Sequence, residues 1–392
     1  MAVTAGSGGG TGGRGDTRSP AGLQLQAARF RAQLLTGEPA SGPVEVAERL
    51  LAVQGQDARG FRLAVRARTR GLTAAHVDRA LTEDRSLLVT WLNRGTLHLI
   101  RSEDYWLLHR LTVRPQFEAA CRRILARSGV SDAGVETGVA AVEKALTRDG
   151  PLTRDQLRQR VAAVGLPAEG NVSLHILAIA SARGLAVRGP MTGAQHAYVL
   201  VRDWLGTPPP EPDPEVALAW MARRYLAGHG PASDRDLAKW AGLPLGQARR
   251  GLTAIAADLR SRPDGLAELA EAGDREPAVS LSAPSLSALS QSAPAEPALP
   301  PPRLLGAFDP VLLGWAAREP ILGDHRQIVT VNGLFRPFAL VDGRAAGIWG
   351  MSAGRLSFDG FGELPASVRT ALAAEADDVR RFLAAEPELA DD

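Results

Sequence analysis

A short pattern recurs along this chain. Residues 150–157 read GPLTRDQL and residues 230–237 read GPASDRDL, both Gly-Pro-x-[Ser/Thr]-x-x-x-Leu at identical offsets. A looser version, GPVEVAERL, begins at Gly42. Gly-Pro ends the preceding segment, Thr153 or Ser233 caps a helix, and Leu157 or Leu237 makes the first core contact. Internal similarity of this kind means one supersecondary unit used several times. The residues after each opening are also alike. LRQRVAAVGLPAEG leads to the helical run NVSLHILAIASARG, and then LAVRGP and HAYVLV can pair around the turn MTGAQ. DLAKW and the turn AGLPLG lead to QARRGLTAIAADL. In the first unit a helix from Val44 to Val53 precedes FRLAVRART and TAAHVDRALTE, the latter capped by Thr73, and LLVTWL and TLHLI flank Asn93-Arg94-Gly95. Helix, turn, helix, hairpin is the order of a winged helix.

The expected fold is therefore α+β: three tandem winged-helix motifs with a small β-rich C-terminal portion. The expected boundaries are a disordered tail over 1–22, winged helices over 23–130, 131–208 and 209–365, and a C-terminal helix and tail over 366–392. The third unit is interrupted by a flexible Pro/Ser/Ala insertion, residues 261–302. Beyond it, RLLGAFDPVLLGW, HRQIVTVNGLFRPFALVDGRAAGIWG and RLSF read as strands and turns completing that unit. The last helix carries Val368, Leu372, Ala376, Val379 and Leu383 on one stripe.

Composition narrows the classes. The 392 residues are 45% hydrophobic and 22% charged, enough for two or three ordinary globular domains. One cysteine, Cys121, excludes an internal disulfide framework and fits a cytoplasmic setting. No apolar stretch is long enough to span a bilayer, so no membrane is expected. The net charge is only +2, but the basic residues are almost all arginine, with Lys144 and Lys239 the exceptions. That bias suits bidentate grip on phosphate and also follows from base composition. The histidines show no paired spacing, so no metal is expected, and the N-terminal GSGGGTGG lacks the GK[ST] of a phosphate loop.

Several stretches carry a resemblance: VQGQDAR at 53–59, WLNRGTLHLI soon after, the Gly-Pro openings, AFDPVLLGW and HRQIVTVNGLFRPFALVDGR. Together, in this order, they resemble the winged-helix DNA glycosylases of the AlkZ/YcaQ type, over about residues 24–365. The resemblance implies three winged helices in a C-shaped protein around duplex DNA. It also implies hydrolytic excision of bulky or crosslinked N7-alkylpurines, as repair or self-resistance, without a cofactor. A monomer acting on DNA at the nucleoid is expected. The family's catalytic motif is Gln, a variable residue, then Gln or Asp, matched here by Gln54-Gly55-Gln56. The middle residue is usually larger and apolar; here it is glycine.

Two carboxamides suit that chemistry. An N7-alkylated purine is already a cationic leaving group and needs little general acid. A carboxamide offers one acceptor and two donors, enough to place a water and turn a carbonyl dipole toward an oxocarbenium-like sugar. In this reading Gln56 orients the water, Gln54 assists, and Asp57 caps the next helix. The plainer reading makes Gln54 a helix-end residue and Gln56 an exposed loop residue. Expected DNA contacts are Arg94 at a hairpin tip with Asn93, Thr96 and His98 beside it, Arg249 and Arg250 on a helix, and His325 and Arg326 in a turn. Arg249 and Arg250 suit a solvated face equally well, and His98 suits a structural hydrogen bond better than catalysis. The alternative function is a non-catalytic winged-helix DNA-binding protein or regulator.

Overall fold

The computed structural model describes residues 19–193, 195–270 and 298–384. Along it one order of elements is used three times. In the first copy the helix Pro43–Leu50, the short strand Val53–Gln54 and the helices Ala58–Arg66 and Ala74–Thr82 lead to the hairpin Leu87–Leu92/Thr96–Arg101. In the second, Asp132–Asp149, Leu152–Thr153, Arg154–Ala162 and Val172–Ala182 lead to Ala186–Thr192/Gln195–Leu200. In the third, Pro214–His229, Asp234–Ala241 and Leu245–Ala254 lead to the small ribbon Leu259–Arg260/Glu268–Leu269, which Ala232 joins by a bridge to Ala267.

The caps are as the repeat predicts. Thr153 accepts from the Gln156 backbone N–H while the Gln156 side chain returns to the Thr153 N–H at 2.8 Å. Ser233 and Asp236 do the same in the third copy. Leu157 and Leu237 are buried beneath them. The looser opening at Gly42 is different. It starts the first helix of its copy, whereas Gly150 and Gly230 precede the second. The structural equivalent of those two turns in the first copy is VQGQD, with Asp57 as the cap.

Three further expectations need correction. The helix expected over Val44 to Val53 ends at Leu50, because Leu51 turns to φ +62° and Val53–Gln54 then pairs as a strand. The N-terminal tail gives way to a helix at Pro20, capped by Ser19, so residues 20–22 are ordered; residues 1–18 lie outside the described residues. The third copy is completed by its own ribbon within 259–269, so the expected insertion loses its first residues; residues 271–297 of it lie outside the described residues. The β-rich portion is instead a separate antiparallel sheet of Arg303–Leu305, Phe338–Val341, Arg344–Ser352 and Arg355–Gly360, backed by the helix Ala366–Leu383.

The first two hairpins fuse into one six-stranded antiparallel sheet through the pairing of Val89 with Arg188. Both faces of this sheet are covered, so its strands are apolar on both sides rather than alternating. Val53, Val89, Trp91, Leu97 and Leu99 face one core cluster, shared with the second copy and the C-terminal helix. Leu88, Leu92, Ile100, Val187 and Val199 face another, shared with the third copy and the 305–345 region.

Candidate active site

Gln54, Gly55 and Gln56 run from the edge strand of the six-stranded sheet into a turn. Gln54 pairs with His98, and His98 pairs across the next strand with Thr90. Opposed residues of antiparallel strands point to the same face, so Gln54, His98 and Thr90 form a polar row. The row lies on the side of Leu88, Leu92 and Ile100. All three are buried, and Gln54 Oε1 and Thr90 Oγ1 have no partner among the described residues. A buried acceptor without a donor costs about 1–3 kcal/mol, so the row is retained against stability. Thr90 is a residue that sequence reasoning missed. The signal was a lone hydroxyl inside LLVTWL.

Gln56 is exposed, and its Oε1 accepts from the Leu97 backbone N–H at 2.9 Å. Gly55 donates to the Leu97 carbonyl at 2.6 Å. The two contacts extend the strand ladder by a residue and fix the turn. One Gln56 lone pair and both amide hydrogens stay available for other partners. A side chain at Gly55 would put its Cβ 3.3 Å from Val89 Cγ1 and 3.4 Å from the Leu99 nitrogen. A larger residue here would require the Val89 side chain to give by a few tenths of an ångström. Asp57 then accepts from the Gly60 N–H as the cap of Ala58–Arg66, as the sequence suggests.

His98 is buried, with Nδ1 2.9 Å from the Thr96 carbonyl oxygen. Burial, with nearby Arg94, drives its pKa down to about 3. The ring is therefore neutral, donates from Nδ1 and presents Nε2 as an acceptor. It is no acid–base group near pH 7.

The expected DNA contacts are largely occupied inside the protein. The Arg94 guanidinium donates to the carbonyls of Lys239 and Trp240 and so caps the helix Asp234–Ala241, instead of standing at a free hairpin tip. Asn93 is fully buried, with neither amide atom partnered among the described residues, and Thr96 Oγ1 donates back to the Asn93 carbonyl at 3.0 Å. Arg249 pairs with Asp234 at 2.7 Å, Arg250 pairs with Glu215, and the His325 ring stacks on Phe361 at 4.1 Å. Arg326 is exposed, and its guanidinium has no partner among the described residues.

The helix after the glutamines is anchored at its far end. Arg68 is fully buried and bidentate on Asp309 at 2.9 and 3.0 Å. Its remaining donors reach the Gln33 carbonyl, Gln33 Oε1 and the Ala64 carbonyl. Arg66 bonds Glu375 at 2.8 Å and Asp378 at 2.9 Å, and Arg303 holds the other Glu375 oxygen. Burial opposes ionisation of Glu375, but Arg66 and Arg303 outweigh it and hold the carboxyl below its ordinary value.

The family model described as DNA glycosylase AlkZ-like matches residues 47–382. The chain is 28% identical over 345 residues to the interstrand DNA cross-link repair glycosylase of Streptomyces sahachiroi, covering 83% of this chain and 86% of that one. It is also similar to the solved structure of Streptomyces sahachiroi DNA glycosylase AlkZ, with a TM-score of 0.67 and 25% identity over 92% of this chain and 96% of that one.

Proposed function

The chain belongs to the AlkZ-like DNA glycosylase family, and on that premise we propose that it hydrolyses the N-glycosidic bond of bulky or crosslinked N7-alkylpurines in duplex DNA. The observation that carries this reading is the Gln54–Gln56 turn: an unpartnered buried carbonyl beside an exposed carboxamide pinned by the Leu97 N–H. In this mechanism the cationic purine leaves with the bonding electrons as the neutral base, Gln56 holds the water that bonds to the sugar, and that water's proton passes to bulk solvent. The Gln54 carbonyl dipole stabilises positive charge developing on the sugar. Neither amide takes a proton; both act by position and electrostatics. His98, held neutral, sits opposite Gln54 in the row and supplies no acid or base to it.

The three repeated element orders support reading the chain as three tandem winged helices; their C-shaped arrangement around DNA is what the family resemblance implies. The relative named for interstrand cross-link repair supports crosslinks within the substrate range. A monomer acting at the nucleoid completes the reading.

Single-turnover excision from duplex DNA carrying N7-methylguanine or a nitrogen-mustard crosslink tests it. Gln56→Ala and Gln54→Ala should each slow base release by about 100-fold or more, with binding to undamaged duplex retained. Unchanged release by Gln56→Ala overturns the mechanism.

A further inference from the structure

A cavity of about 290 Å³ opens beside the hairpin turn at the end of the polar row's strands. Its aromatic walls are Trp91 and Phe117, its charged walls Arg94 and Arg114, and Ala120 and Gly242 also line it. Strand residues advance by about 3.3 Å, and Gly95 on the cavity wall lies two positions from Leu97, which pins Gln56. The cavity is therefore within a side chain's reach of the candidate catalytic turn.

Its construction is specific. Gly95 has φ +73°, and any Cβ there would collide with the Phe117 ring. The turn and the aromatic ring are thus fitted to one another. Arg114 donates through Nη2 to Gln247 Oε1 at 2.8 Å, while its buried Nε has no partner. Aromatic walls flanked by arginine side chains make a stacking site for a planar ring. A cavity of about 150 Å³ holds one benzene, so this one has room for about two fused rings and is too small for a nucleotide.

Charge decides between the two planar groups that a lesion brings. The N7-alkylated base is a cation, and two guanidiniums repel it. A neutral aromatic arm carried on N7 stacks on them favourably. Resting on the glycosylase reading above, we propose that this cavity binds the aromatic arm of a bulky N7 adduct and sets substrate preference by it.

The test uses the full chain and does not depend on catalysis. Duplexes carrying 2′-fluoro-stabilised N7-benzylguanine or N7-methylguanine, which resist hydrolysis, are titrated by fluorescence anisotropy. Wild type should bind the benzyl duplex at least tenfold more tightly. Ala120→Phe, which fills the cavity, and Gln116→Trp, which covers its exposed rim without touching the core, should each reduce that ratio to about one. No benzyl preference in wild type, or a preference that survives both substitutions, overturns the proposal. So does an equal loss of affinity for both duplexes, which assigns the cavity to the base. Excision from the matching unmodified-sugar adducts is read in parallel. Failure of wild type to release either base counts against the proposed activity, while the affinity ratio still decides on the cavity.

Discussion

Asn93 is a buried carboxamide with neither atom paired, which is worse than an apolar group of the same shape. Asn93→Leu should therefore raise stability by about 1 kcal/mol in urea melts and leave affinity for undamaged duplex unchanged, since the side chain has no route to DNA. A loss of DNA affinity would show that the turn rearranges on binding. Gly60 is the opposite case. Its Cα lies against the Ala307 carbonyl so closely that any Cβ would clash with fixed backbone. Gly60→Ala should cost about 1–3 kcal/mol and slow excision by displacing the first turn after Gln56. Arg326 is the expected contact that keeps its charge free, so Arg326→Ala should weaken DNA binding and lower the salt slope of log K by about one. An unchanged slope would remove it from the interface.

Among the elements, the second helix of the first copy matters most, because the candidate site lies immediately before its N-cap. Its register is fixed from the other end by Arg68–Asp309 and Arg66–Glu375. Breaking a buried pair by removing one partner costs about 3–5 kcal/mol. Asp309→Ala should therefore destabilise by that order, and slow excision at temperatures where the fold survives. A thermal melt beside wild type checks the first part and single-turnover kinetics the second. The elements were legible where local chemistry speaks. Thr153 and Ser233 announce their helices, LLVTWL and TLHLI their hairpin, and VQGQDAR its turn and cap. What escaped was set by distant contacts. Arg94 reads as a tip residue until the carbonyls of 239 and 240 are seen beside it. The ribbon at 259–269 is too short to carry a strand signal and is placed by Ala232. The helix expected through Val53 was broken by Leu51, because pairing with Leu99 outweighs the helical pattern of a few residues.

For the molecule as a whole, three histidines, His98 and His229 buried and His196 half-buried, set the response to acid. Burial drives His98, His196 and His229 each down to about 3, against about 6.5 in an unfolded chain. The unfolded state thus takes up protons that the native state refuses, beginning near pH 6.5. Their contribution to stability is complete above that pH and drains away as pH falls toward 3. The urea midpoint should be flat from pH 8 to 7 and decline below about 6.5. Glu375, held low by Arg66 and Arg303, and Asp378, held low by Arg381 and Arg66, add a further loss only below the ordinary carboxylate range. A midpoint that stays level down to pH 5 would mean that these rings are protonated in the folded protein.

The Arg68–Asp309 pair also bears on how the chain is made. Its partners are separated by 241 residues. At about 5–20 residues per second of synthesis, the arginine waits on the order of 12–50 s for its carboxylate. Until then its cradle would enclose an unneutralised cation, so the ribosome-bound first copy must stay ajar and hydrated. A stalled nascent chain ending before Asp309 should accordingly remain protease-sensitive around residues 58–68, and become resistant only once the last third has emerged.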